Sequence, residues 1–182
     1  MNSSNKPVRK TPRAQWHNYN GAEYFVTICT KNRIHYFGEV VEGEMQLTEV
    51  GKQLEIQIKN TEFIRDGDVL VPMFVIMPNH VHLIVKFNGN NDNRNMFVDE
   101  TDALSASLQR FGPQSKNLAS VIRGLKSVIT KFALANQIPF AWQSGYHDHI
   151  IRNQKEMNSI AQYIEQNPLK WEMDCFNEKR QL

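Results

Sequence analysis

The sequence predicts an α+β protein, an antiparallel β-sheet flanked by α-helices, on three observations. Short apolar runs rich in β-branched and aromatic residues are separated by stretches whose apolar residues recur every three or four positions. Two of those runs are joined only by a Pro-Asn turn signal. The resulting order is strand, helix, hairpin, helix, strand, helix, which suits hairpin-connected strands with helices packed on them. A chain of 182 residues with 41% hydrophobic content can bury one proper core and is short for two, so a single domain is expected.

The first strand is "EYFVTICT", residues 23–30, whose few polar positions suit a central place in a sheet. A polar, turn-like stretch follows. Thr48 then caps a helix in which Val50, Leu54 and Ile58 form one apolar stripe. Residues 69–77 and 80–87, joined by Pro78-Asn79, read as an antiparallel hairpin. Residues 88–116, with "NGNNDNRN" and Gly112-Pro113, read as a long loop of a length usually kept for function or left unstructured. From Asn117 the residues Leu118, Val121, Ile122, Leu125, Ile129 and Phe132 make a second helical stripe. "PFAWQSGYHDHIIR" reads as extended, with Trp142, Tyr146 and Ile150 in strand-like settings. The last helix starts at an Asn153 cap, packs through Met157, Ile160, Ala161 and Ile164, and stops at Pro168, which biases Asn167 away from helical dihedrals. No internal repeat is visible.

Composition excludes several classes. No window holds about 18 consecutive apolar residues, and "MNSSNKPVRKTPRAQW" lacks the apolar segment of a secretory signal, so a cytoplasmic protein without a membrane partner is expected. Cys29 and Cys175 show no CxxC spacing, which leaves neither a disulfide framework nor a thiolate zinc site. The formal net charge of +2 hides an asymmetry: Lys6, Arg9, Lys10 and Arg13 precede the first acidic residue, and the remainder is slightly acidic. Such a basic arm suits phosphate backbones or is simply solvated.

The chemistry-bearing residues lie in "MPNHVHLIVKF". Residues two apart on a strand share a face, so His80 and His82 project side by side while Val81 turns to the packed side. Alone, such a pair is more often structural than ligating, and a further donor is required. The last helix offers one, because Tyr163 and Asn167 stand at i and i+4 beside the apolar stripe, with Glu156 on the same flank. A phenol and an amide oxygen there present a nucleophile and a hard ligand together. A competing pair is "YHDH", where His147 and His149 share a face with Asp148 opposite. Arg110, Lys116, Arg123 and Lys126, with Trp16 after the basic arm, are candidates for nucleic-acid contact.

"YFVTICT", "MPNHVH", "GLKSVITKF", "WQSGYHDHIIR" and "YIEQNPLKW", in this order, resemble the REP-associated tyrosine transposases, a branch of the single-tyrosine HUH transposases, over residues 16 to 171. The resemblance implies an HUH endonuclease fold, a ferredoxin- or RRM-like sandwich. It divides the chain into a flexible arm over 1–15, one domain over 16–175 and a tail over 176–182. It further implies a divalent ion, Mg²⁺ or Mn²⁺, on His80, His82 and Asn167, with Tyr163 as the catalytic nucleophile. The implied reaction is cleavage and transfer of single-stranded DNA at hairpin repeats through a 5′-phosphotyrosine link, by a monomer or a homodimer. In related insertion-sequence transposases a glutamine stands where Asn167 is, with the same carbonyl chemistry. Two other readings are a hairpin-binding protein that no longer cuts and a metal-dependent hydrolase of nucleotides in which Tyr163 is structural.

Overall fold

The structure is a computed structural model that describes residues 22–88 and 117–177. The expected arm and the expected loop, apart from Asn88, lie outside the described residues. Strands β1 (Glu23–Cys29), β4 (Val69–Met77), β5 (His80–Phe87) and β6 (His147–Ile151) form one antiparallel sheet in the order β4-β5-β1-β6. β1 is central, as its composition predicts. Strands β2 (Gly38–Val41) and β3 (Glu44–Leu47) form a separate small hairpin, closed by Glu42 and Gly43, both at positive φ. The polar stretch predicted there hides this hairpin, because four-residue strands carry too little alternation to separate from loop. Only Glu42-Gly43, a positive-φ turn of the kind hairpins favour, marks it.

The helices are α1 (Glu49–Lys59), α2 (Thr61–Ile64), α3 (Leu118–Ala135) and α4 (Gln154–Gln166). Three starts follow from side-chain caps: Thr48 Oγ1 accepts from Gly51 N, Asn117 Oδ1 from Ser120 N, and Asn153 Oδ1 from Glu156 N. Glycine is required at position 51, since an added Cβ would stand 2.2 Å from the Phe37 carbonyl oxygen.

The sheet is apolar on both faces, and each face is covered by different helices. Tyr24, Val26 and Ile28 of β1 and Val81, Leu83 and Val85 of β5 pack with Val50, Leu54 and Ile58 of α1 and Leu118, Val121, Ile122 and Ile129 of α3. On the opposite face Ile84 and Ile151 pack with Ile164 of α4, joined by Phe25, Met73, Val75, Met157 and Ile160. By strand alternation this second face also carries Thr27, His80 and His82.

The end of α4 corrects one expectation. Asn167 has helical dihedrals, φ −58° and ψ −47°, despite preceding proline. Pro168 opens a six-residue 3₁₀ helix, Pro168–Met173, so the ring's missing N–H falls where an unpaired donor would stand. The i, i+4 stacking of Tyr163 and Asn167 is therefore kept. Among the described residues, no helix is long and apolar enough to cross a membrane.

Candidate active site

β5 enters the site with its first residue. The register sets His80 opposite Cys29 and Met77, and His82 opposite Thr27 and Val75. Both imidazoles are buried, 0% and 2% exposed, and their ring centroids lie 4.6 Å apart. The turn residue Asn79 fixes the state of the first. Its Nδ2 donates to Arg33 O at 3.1 Å and to Phe176 O at 2.8 Å, so its Oδ1 is the end that faces His80 Nδ1 at 2.9 Å. An amide oxygen only accepts, so His80 Nδ1 carries the proton and Nε2 is a bare lone pair. That Nε2 is buried and has no hydrogen-bond partner.

His82 is likewise held through Nδ1, here by a hydroxyl that can donate or accept. Its Nδ1 meets Thr27 Oγ1 at 2.8 Å, and its Nε2 faces the Tyr163 hydroxyl at a long 3.3 Å. Burial lowers the pKa of His82 to about 4. Burial, reinforced by His82 and Arg33, lowers that of His80 well below the ordinary value. Both rings are thus neutral at neutral pH, the state in which imidazole ligates a cation.

α4 delivers the remaining groups. Ile164 anchors it against Ile84, which brings the Tyr163 ring to 5.2 Å from His82 and 6.1 Å from Phe25. Burial raises the Tyr163 pKa, a hydrogen bond with the Asn167 side chain counters it, and Asp174 and Cys175 raise it further. The hydroxyl is therefore protonated at neutral pH. Asn167 is 3% exposed, and its Oδ1 is the second buried acceptor at the site without a partner. Partnerless buried acceptors are costly in a dry interior. Two imidazole nitrogens and an amide oxygen, each held by its own structure, suit a hard or borderline divalent cation. Among the described residues no three His, Cys, Asp or Glu side chains cluster as metal donors.

The burial comes from a segment the sequence reading assigned no role. Phe176 places its ring 4.5 Å from His80, Trp171 lies at 6.1 Å, and Arg33 sits 4.8 Å from the Phe176 ring. Asn177 is buried and donates to Trp171 O at 3.2 Å, so residues 176 and 177 pack against the site. Thr27, Asn79 and Phe176 were missed as site residues. Asn79 had a signal, its place inside "PNHVH"; Thr27 and Phe176 had none, because their parts depend on strand pairing and on the return of the chain.

His147 and His149 share a face, as expected, and the register puts them on the same face as His80 and His82. Both are exposed. His149 Nε2 meets Glu156 Oε1 at 2.6 Å, and the same carboxylate accepts from Arg152 N at 2.8 Å, which lowers its pKa. Glu156 thus serves the start of α4. Arg123 is exposed on α3, on the sheet face away from the histidine pair. Lys126 is committed: its Nζ donates to Gln143 O at 2.7 Å and Gly145 O at 2.5 Å and lies 5.5 Å from the Trp142 ring. Lys6, Arg9, Lys10, Arg13, Trp16, Arg110 and Lys116 lie outside the described residues.

No protein-family model matches the chain. An uncharacterized protein of Haemophilus influenzae is 33% identical over 168 residues, covering 91% of each chain. Among solved structures, a REP-associated tyrosine transposase bound to a REP hairpin superposes with a TM-score of 0.55 at 18% identity, over 89% of this chain and 74% of that one.

Proposed function

We propose that this chain, which belongs to one family with the Haemophilus influenzae protein and has the fold of a REP-associated tyrosine transposase, is a metal-dependent endonuclease and strand transferase. Its substrate is single-stranded DNA at the foot of a hairpin. The observation that carries the reading is the pair of unpartnered buried acceptors, His80 Nε2 and Asn167 Oδ1, on residues that adjoin His82 and Tyr163, whose hydroxyl is 3.3 Å from His82 Nε2. His80, His82 and Asn167 would hold Mg²⁺ or Mn²⁺, which when bound neutralises a non-bridging oxygen of the scissile phosphate.

The chain's own groups supply the rest. Thr27 and Asn79 occupy the Nδ1 atoms and aim both Nε2 atoms into the site. Phe25 packs 5.1 Å from the His82 ring and 6.1 Å from Tyr163, so imidazole and phenol are held in one arrangement. Tyr163 Oη attacks phosphorus in line, the P–O3′ bond breaks, and the products are a 5′-phosphotyrosine and a 3′-hydroxyl. The phenol proton leaves through the half-exposed side of the tyrosine, and the departing 3′-oxygen takes up a proton. A second 3′-hydroxyl can reverse the step on another strand without a nucleotide cofactor. Tyr163 and His82 meet within one chain, so a second copy is not needed to unite them. We place the protein in the cytoplasm, on nucleoid DNA.

The test is incubation with end-labelled hairpin DNA carrying single-stranded flanks, with Mn²⁺ and with Mg²⁺. A denaturation-resistant adduct is expected on the 5′ end of the fragment that lies 3′ of the cut, lost with a chelator and in Tyr163→Phe. Binding without an adduct supports the hairpin-binding reading, and cleavage that persists in Tyr163→Phe supports water as nucleophile; either outcome overturns the proposal.

A further inference from the structure

A second cavity adjoins the tyrosine. It encloses about 240 Å³ between the C-terminal end of α4 and the chain that returns across it. Tyr163 and Asn167 line it and also belong to the site described above, so the two spaces share a wall. A larger hollow of about 450 Å³, beside Arg123, Lys126 and Tyr146, lies along α3 on the other face of the sheet, and its lysine is already bonded to two carbonyls.

The lining of the smaller cavity combines flat or polarisable surface with hydrogen-bonding edges. Tyr163 is 43% exposed and Met173 62% exposed, and both border the space. A phenol ring and a thioether offer stacking and dispersion contact to a π-face. Gln166 and Lys170 are neighbours in the lining, with Lys170 Nζ 2.6 Å from Gln166 Oε1, which leaves the glutamine NH₂ and further ammonium protons to donate. Asp174 also lines the cavity; its Oδ1 accepts from Phe176 N at 2.8 Å, and the carboxylate has further capacity to accept. Donors, an acceptor and soft walls in one lining match the rim and faces of a nucleobase.

Position supplies the second argument. A phosphodiester held for attack by Tyr163 Oη carries a nucleoside on each side, each base only a few bonds from the phosphorus. We infer that this cavity receives one unstacked base of the single strand, that of a nucleotide adjoining the scissile phosphate, and that Gln166, Lys170 and Asp174 read its edge. The inference rests on the nuclease reading and adds a specificity site to it.

The experiment uses the full chain and a DNA hairpin with randomised single-stranded flanks, in Mn²⁺. Two pools are sequenced, DNA retained by affinity and DNA recovered as covalent adduct. Wild type should show a preference of about tenfold or more at one position next to the cut, a size typical of hydrogen-bonded base readout. In Gln166→Ala and in Asp174→Asn that preference should fall to less than about twofold, while preferences elsewhere stay. Asp174→Asn keeps an oxygen for Phe176 N, so it also controls for folding. An unchanged preference next to the cut in both variants overturns the base pocket, even if adducts form normally. A preference that flattens in the affinity pool with no adduct in any pool upholds the pocket and overturns the nuclease reading. No preference at that position in wild type overturns the pocket.

Discussion

Replacing Thr27 with valine tests how the histidine pair is held. Thr27 Oγ1 is the partner of His82 Nδ1 at 2.8 Å, in a site where the two residues are 7% and 2% exposed. Valine keeps the branch and the strand preference, so the change removes little except that partner. Two responses are open to the ring. If Nδ1 keeps its proton, a buried donor is left without an acceptor at a cost of about 1–3 kcal/mol. At about 2–4 °C per kcal/mol for a domain of this size, the melting temperature then falls by between about 2 and 12 °C. If the proton moves to Nε2, the Tyr163 hydroxyl at 3.3 Å can accept it and much of the stability is kept. The lone pair facing the site is then lost. On either route Mn²⁺ affinity should fall about ten- to a hundredfold, as for other lost partners of ligating histidines. Calorimetric titration with Mn²⁺ and thermal melts of the metal-free protein read the two effects, and nitrogen NMR of the imidazoles distinguishes the routes. A folded Thr27→Val protein that binds Mn²⁺ as tightly as wild type would refute the claim that Thr27 positions His82 for ligation.

Stability should fall as pH drops from about 6.5 toward 4. In that window the unfolded chain binds a proton on His82 that the folded chain, with its pKa at about 4, refuses; the loss for this group approaches 3 kcal/mol, and His80 is shifted in the same direction. Urea midpoints measured at pH 7 and pH 5 should differ in wild type, and the difference should shrink in His82→Leu, where the His80 contribution remains. Gly51→Ala should destabilise although alanine favours helix by about 1 kcal/mol, because the new Cβ meets a Phe37 carbonyl that is itself held by Thr48 N at 2.9 Å; a higher urea midpoint would contradict this. Lys126→Met should cost about 1–2 kcal/mol by releasing Gln143 and Gly145, whereas Arg123→Ala should leave the melting temperature unchanged. If Arg123 contacts a phosphate, its removal should lower the slope of log affinity against log salt by about one.

Most of the secondary structure was legible because it is written in local periodicity and caps. Val50, Leu54 and Ile58 were readable as a buried stripe from spacing alone, and Thr48, Asn117 and Asn153 as helix starts from residue type. His80 and His82 were readable as neighbours because alternation on a strand is geometric. The β2-β3 hairpin was not, since its strands are too short to show a period, and the pre-proline bias at Asn167 was overridden by the 3₁₀ turn that follows.

The sequence by itself thus determined most of the elements, the shared face of the two imidazoles and the shared flank of Tyr163 and Asn167. Only the tertiary structure decided that α4, and not α1 or α3, covers the histidine face. Both faces of the sheet are apolar, so local pattern cannot say which helix seals which; packing of Ile164 on Ile84 and Ile151 settles it. Nor can a sequence show an unpartnered atom. His80 Nε2 and Asn167 Oδ1 are recognisable as buried acceptors without a partner only once Asn79, Thr27 and Phe176 have taken their places around the histidine pair.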